Sequence, residues 1–170
     1  LEVSTGAGSN PQDVLVIAET MVVSLHGRSQ LALFDLQGRS LGQVDLSEFA
    51  DDDGSPEPAS LLEVNGRLFV SLQQFENWRS DSGRLVEIDL DSWTVKASWQ
   101  VGPSPSLFAH PSQSGSMVIM TGSYHDLEIA LDGALVVFDV ESEAFSAAIV
   151  TEASLATHLV GYGESDDGRA

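Results

Sequence analysis

The chain has 170 residues, enough for one domain with a sizeable core, and its 42% hydrophobic content is that of a folded protein, not a disordered one. Twenty-six acidic residues stand against seven basic ones, of which only Lys96 is a lysine, and the net charge of −19 excludes nucleic acid and anionic lipid surfaces as partners. With no cysteine there is no disulfide, thiolate metal site or thiol nucleophile, and no apolar run approaches the roughly 18 residues of a membrane span.

The first ten residues, "LEVSTGAGSN", have no basic segment followed by an apolar one, so they carry no leader pattern. After Pro11 come an apolar strand ending in "VLVI", a short turn and a second strand, "MVVSL" (21–25). The short "HGRSQ" follows, then a third strand closing on aspartate, "LALFD" (31–35), and a fourth, "SLGQVDL" (40–46). The same order returns after Pro58 and again after Pro105, each proline 47 residues beyond the last. The second strands are then "LFVSL" (68–72) and "MVIMT" (117–121), and the third are "LVEID" (85–89) and "LVVFD" (135–139). The fourth are "TVKASWQV" (94–101) and "FSAAIV" (145–150). Four short β-branched strands per unit, repeated every 40–50 residues, predict antiparallel β-propeller blades. The segments are too short and too turn-bounded for a solenoid of helix pairs.

The expected organisation is an all-β propeller with blades at 11–57, 58–104 and 105–153. Residues 1–10 read as the end of a preceding blade, because "GAGSNP" matches the junction "VGPSP". Residues 154–170 read as the start of a further one. Three blades and parts of two more would leave strand edges unpaired. The expectation is therefore completion by further blades, from the same parent chain or another subunit.

The unit "NPQDV…VVSL…LALFD…LGQVDLSEFADDDGSPEPASLLEVNGRLFVSLQ" resembles the surface-layer-type (YncE-like) propeller repeats of bacterial secreted and envelope proteins, over about residues 8–152. Its most specific pieces are the Asn-Pro junction, "NGRLFVSLQ" and "GRLVEIDLDSWTV". Long insertions in two blades and the acidic extension depart from the simplest pattern. The resemblance implies a fold that is usually seven-bladed when complete and a mostly non-enzymatic role. It also implies a periplasmic, cell-surface or secreted location.

Blade strands alternate in direction, so the strand-two-to-three and strand-four-to-one connections share one face. The long loops all fall there: "QQFENWRSDSG" (73–83), "GSYHDLEIALDG" (122–133) and the acidic "DLSEFADDDGSPEPAS" (45–60). Turns on the opposite face are short. Variable loops on a rigid sheet are where binding resides. His26, Phe75, Trp78, Arg79, Tyr124 and His125 are the candidate ligand-binding residues of this face, for a protein or small-ligand partner. Phe75 and Trp78 read equally as packing for their own loop.

Asp51, Asp53 and Glu57 offer hard oxygen ligands for a calcium ion. Aligning Gly54 with the EF-hand glycine puts Phe49 and Ser60 at its terminal ligand positions, so that motif is absent. Without an ion the stretch is an acidic turn stiffened by Pro56 and Pro58. Asp35, Asp89 and Asp139 recur at one blade position, which assigns them to turn structure and not to catalysis. The four histidines lack zinc spacing, and there is no nucleophile elbow, phosphate loop or sialidase Asp-box. The leading functional expectation is a non-enzymatic binding scaffold. The alternative is a calcium-dependent hydrolase or lactonase-type propeller, and the chain by itself displays no reaction.

Overall fold

A computed structural model describes residues 2–77, 79–122 and 130–160, together with the backbone of 124–125 and 128–129. The first blade is β1 (Pro11–Ile17), β2 (Thr20–Leu25), β3 (Gln30–Asp35) and β4 (Ser40–Asp45), antiparallel and in chain order. The second is β5 (Pro58–Val64), β6 (Arg67–Leu72), β7 (Gly83–Asp89) and β8 (Thr94–Val101), ordered the same way. Pro11 and Pro58 each occupy the first position of a strand, where the missing N–H removes no interior ladder bond. In both blades a bulge follows that proline.

The third blade holds β9 (Ser106–Ala109) and β10 (Ser116–Met120). A small ribbon of β11 (Tyr124–His125) and β12 (Glu128–Ile129) precedes β13 (Ala134–Asp139), which pairs with β10. The fourth strand expected over 145–150 is broken into β14 (Ala144–Phe145) and β15 (Val150–Thr151). Both pieces pair with β13, at opposite ends of it. Beyond β15 the backbone turns helical, at the boundary expected between the third blade and the next. Glu152–Leu155 forms a single turn, α1, in which the Thr151 hydroxyl caps the Ser154 amide and the Ser154 hydroxyl caps the Thr151 amide. Residues 157–160, expected to begin a new blade, carry no strand, and 161–170 lie outside the described residues.

The blades stack face to face. Val22, Leu31, Leu33, Val44 and Leu46 of the first meet Leu61, Leu68, Val70, Leu72, Val86 and Ile88 of the second. On the other face of the second, Val64, Phe69 and Leu85 meet Leu107, Met117, Ile119, Phe138 and Val140. This two-sided burial is why the inner strands read as continuous apolar runs and not as alternating ones. Phe138 sits edge-on to Phe69 at 6.1 Å and packs against Trp99 at 5.0 Å.

The outward face of the first blade is different. Val3 packs onto Val23, Leu25, Ala32 and Phe34, but Val14 and Val16 are each 57% exposed. The position of Val14 corresponds to Leu61 in the second blade and Leu107 in the third, through their pairing with Val23, Val70 and Ile119. Leu61 and Leu107 are only 6% and 7% exposed, because a neighbouring blade covers them.

Buried polar groups knit the blades together. Ser24 and Ser71 are fully buried at equivalent positions, and each hydroxyl receives an amide from the bulged first strand, Asp13 N and Ser60 N respectively, at 3.0 Å. Ser24 also donates across the blade boundary to Ala59 O at 2.5 Å, and Asp13 accepts from Leu61 N at 2.8 Å. Asp35, Asp89 and Asp139 accept turn amides, from Arg39 and Gln37, from Ser92 and Asp91, and from Ser142. Those amide and side-chain bonds hold all three carboxyls below the usual range.

Candidate functional site at the junction of the first two blades

The connections β2–β3, β4–β5, β6–β7 and β8–β9 lie together at one end of the stack and are tied to one another. His26 N and Gly27 N donate to Asn10 O and Ser9 O. Ser29 Oγ donates to Gly54 O at 2.8 Å, and Ser55 Oγ donates to His26 O at 3.2 Å. Gln74 reaches back to Phe49 O at 3.1 Å, and Ser80 Oγ links Gln73 O to Ser104 N. The long loops are thus braced on a rigid base.

The acidic stretch wraps the rim between the first two blades. Asp51 accepts from Asp53 N at 3.3 Å, and Asp53 accepts from Ser55 N at 2.9 Å, the self-capping geometry of Asx turns. Glu57 lies deeper, 5% exposed, in a left-handed conformation with φ 46°. Gln73 N donates to its carbonyl and Gln74 N to that of Pro56, which pins both to the β6–β7 loop. The Glu57 side chain turns inward, and Oε2 accepts from Phe75 N at 2.8 Å. The Ser55 hydroxyl is a second hydrogen-bonding neighbour of this carboxyl.

Two clefts open beside this carboxylate. One of about 300 Å³ is lined by His26, Asp53, Glu57, Phe75 and Asn77. The other, about 380 Å³, is lined by Asp51, Gln74, Glu76, Asn77, Arg79, Asp81 and Ser82. Asn77 belongs to both walls. His26 Nε2 donates to Gln73 Oε1 at 3.2 Å, and the imidazole and Phe75 rings are 6.3 Å apart. Arg79 approaches Asp81 at 3.7 Å in an exposed pair.

Burial pushes the Glu57 carboxyl up to about 7; the Phe75 amide opposes that rise, and the carboxylates of Asp53 and Asp51 add to it. Burial also raises Asp51, with the neighbouring Asp53 carboxyl reinforcing the shift. A buried carboxylate beside a concave, partly apolar cleft makes this rim the candidate site.

His26, Phe75 and Arg79 of the sequence-derived set therefore stand on one rim with Asp51, Asp53 and Glu57. Trp78 and the side chains of Tyr124 and His125 lie outside the described residues. The three carboxylates assigned to calcium serve different partners: two close turns, and the third receives the Phe75 amide. Among the described residues no group of three histidine, aspartate or glutamate side chains is placed to hold a metal ion. Sequence reasoning missed Asn77 and the Gln73–His26 pair; the 47-residue spacing of the latter, one repeat period, is the signal that points to it.

Three solved structures define the class. Hydrazine synthase of Kuenenia stuttgartiensis matches 97% of this chain and 42% of its own, with TM-score 0.62 and 16% identity. Dihydro-heme d1 dehydrogenase NirN, in complex with DHE, matches over 76% of this chain and 25% of its own, with TM-score 0.55 and 12% identity. The Dos1 propeller matches over 82% and 35%, with TM-score 0.51 and 16% identity. Stacked four-stranded blades and this likeness establish a β-propeller fold. The chain spans less than half the length of each of these proteins. No family model and no curated protein matches the sequence.

Proposed function

We propose that this chain is part of a non-enzymatic propeller scaffold of the surface-layer type, acting in the cell envelope or outside the cell. It holds a protein or small ligand on the long-loop face. The observation that supports this reading is the pair of adjoining clefts where the first two blades meet, walled by loops that hydrogen bonds brace against one another. Rigid walls lower the ordering cost of binding. Further blades, from the parent chain or another subunit, complete the propeller against the face that carries Val14, whose counterparts Leu61 and Leu107 are covered. Among the described residues no helix is long and apolar enough to cross a membrane.

The test is a fragment and short-peptide library screened by amide chemical-shift mapping on the ¹⁵N-labelled chain. Hits should move the amides of 26–29, 51–57 and 73–77. Hits that cluster on the opposite turns, at 36–39, 65–67 and 90–93, would overturn the assignment of the binding face.

A further inference from the structure

We propose that the cleft beside Glu57 is a receptor for an organic cation, a guanidinium or ammonium group carried on an apolar stem. The inference rests on the long-loop face being the binding face, and it names the chemistry that the face selects.

Four observations carry it. First, the Glu57 side chain is nine-tenths buried and lines the cleft, with Oε2 fixed by the Phe75 amide. The Phe75 amide and the Ser55 hydroxyl orient the carboxylate before any ligand arrives, and two donors leave lone pairs able to accept a charge-assisted hydrogen bond. Second, the charged groups around it are negative on both sides. Asp53 shares the lining and Asp51 lies behind it on the same loop, while Glu76 and Asp81 line the adjoining cleft from the facing loop. The basic groups on the two rims are already engaged, His26 with Gln73 and Arg79 with Asp81. An anionic ligand would meet Glu57 and Asp53 unscreened. Third, Phe75 gives the cleft an aromatic wall on which an alkyl stem or a guanidinium plane can rest. Fourth, about 300 Å³ is at the small end of ligand pockets, which suits one side chain or a small metabolite and not a large cofactor.

A bare metal ion fits less well. Asp51 and Asp53 close their own turns, and among the described residues no third ligand joins any two carboxylates. A guanidinium or ammonium needs one well-aimed carboxylate and an apolar wall, and both are present. Binding a cation favours the ionised carboxylate, so affinity rises as pH climbs through the Glu57 titration near 7.

The experiment is a shift-mapping titration of the full chain with n-butylguanidinium and n-butylammonium. Neutral n-butylurea, anionic butyrate, calcium and an arginine-containing tetrapeptide are run in parallel. The expected result is saturable movement of the Phe75 and His26 amides by the cations, with the urea and butyrate at least about tenfold weaker. Affinity should be higher at about pH 8 than at about pH 6. Glu57→Gln, checked as folded by its unchanged spectrum elsewhere, should lose about tenfold or more in cation affinity. Tighter binding of the peptide than of the free cation identifies a protein side chain as the natural occupant; the reverse identifies a small metabolite. Equal binding of the urea, or unchanged affinity in Glu57→Gln, overturns the cation inference while leaving the binding face intact. Calcium that moves the same amides and excludes the cations overturns it in favour of a metal site. Failure of every compound overturns it as well, and the library screen then judges the face independently.

Discussion

Phe75 N donates to Glu57 Oε2 at 2.8 Å, joining the acidic connection between the first two blades to the long loop of the second. The bond turns a glutamate between two prolines into a buried group facing a cleft. Burial of that group, which the amide bond offsets only in part, makes the protein's stability depend on pH in a defined window.

The folded-state pKa of Glu57, about 7, stands above the ordinary 4.5. Between those values the folded chain holds a proton that the unfolded chain releases. Stability from this group is therefore fully present below the lower value and falls as pH rises through the upper one. Glu57→Gln keeps the amide acceptor and removes the titration. The variant should melt with the parent at about pH 4.5 and several degrees above it at about pH 8. Thermal melts of both proteins across that range check it. A constant difference between them would show that Glu57 does not titrate in the window.

Ala18 and Glu19 form the β1–β2 turn with φ of 47° and 66°, both left-handed. One repeat later the same turn is Asn65-Gly66, with φ of 52° and 75°. Asparagine-glycine suits two consecutive left-handed positions, whereas alanine and glutamate are strained there. The double change Ala18→Asn with Glu19→Gly should stabilise by about 1 kcal/mol. Gly66→Ala should destabilise by a similar ~1 kcal/mol. Urea midpoints at unchanged slope measure both.

Ser24 is fully buried and bonds both Asp13 N and Ala59 O, within its blade and across to the next. Ser24→Ala leaves both partners unsatisfied and should cost about 2–3 kcal/mol. Ser71→Ala removes one bond of the same kind and should cost about 1–2 kcal/mol. The ordering of the two variants by denaturant melts is the measurement, and equal losses would remove the inter-blade bond from the account.

On the opposite face Arg67 binds Glu87 through both carboxylate oxygens, at 2.8 and 2.6 Å, and reaches Glu143 and the Val140 carbonyl of the third blade. Lys96 adds a third bond to Glu87 at 2.8 Å. Burial alone would raise the Glu87 carboxyl, but the guanidinium and the ammonium outweigh it and hold it low. Arg67→Met should destabilise by about 2–4 kcal/mol, because a nearly buried carboxylate keeps only Lys96. Adding Glu87→Leu should recover much of that loss, and a double-mutant cycle reads the coupling.

Asp51 and Asp53 each close a turn through a main-chain amide, independent of any ion. Melting temperature should accordingly be the same in millimolar calcium and in chelator. A calcium-dependent rise that disappears in Asp51→Asn with Asp53→Asn would make the loop a metal site after all.

Much of the architecture was legible in the chain. The strand pattern, the repeating prolines and the Asn65-Gly66 hairpin depend on residues close in sequence, and local chemistry decides them. The aspartates at 35, 89 and 139 bond amides two to four positions ahead, so their recurrence alone points to turn duty. The gathering of the long loops on one face follows from strand alternation and loop length. Burial does not follow in this way. Val14 and Leu61 are equivalent apolar residues, yet one is 57% exposed and the other 6%. Glu57 and Glu87 sit in ordinary acidic or alternating stretches, yet both are nearly buried. Blades, turns and the loop-bearing face could be read from the chain because they depend on interactions within one repeat. Which carboxylate is desolvated and which apolar face is covered emerged only when the blades were assembled. A side chain's access to water is set by the blade or loop packed over it, about one full repeat away in the chain.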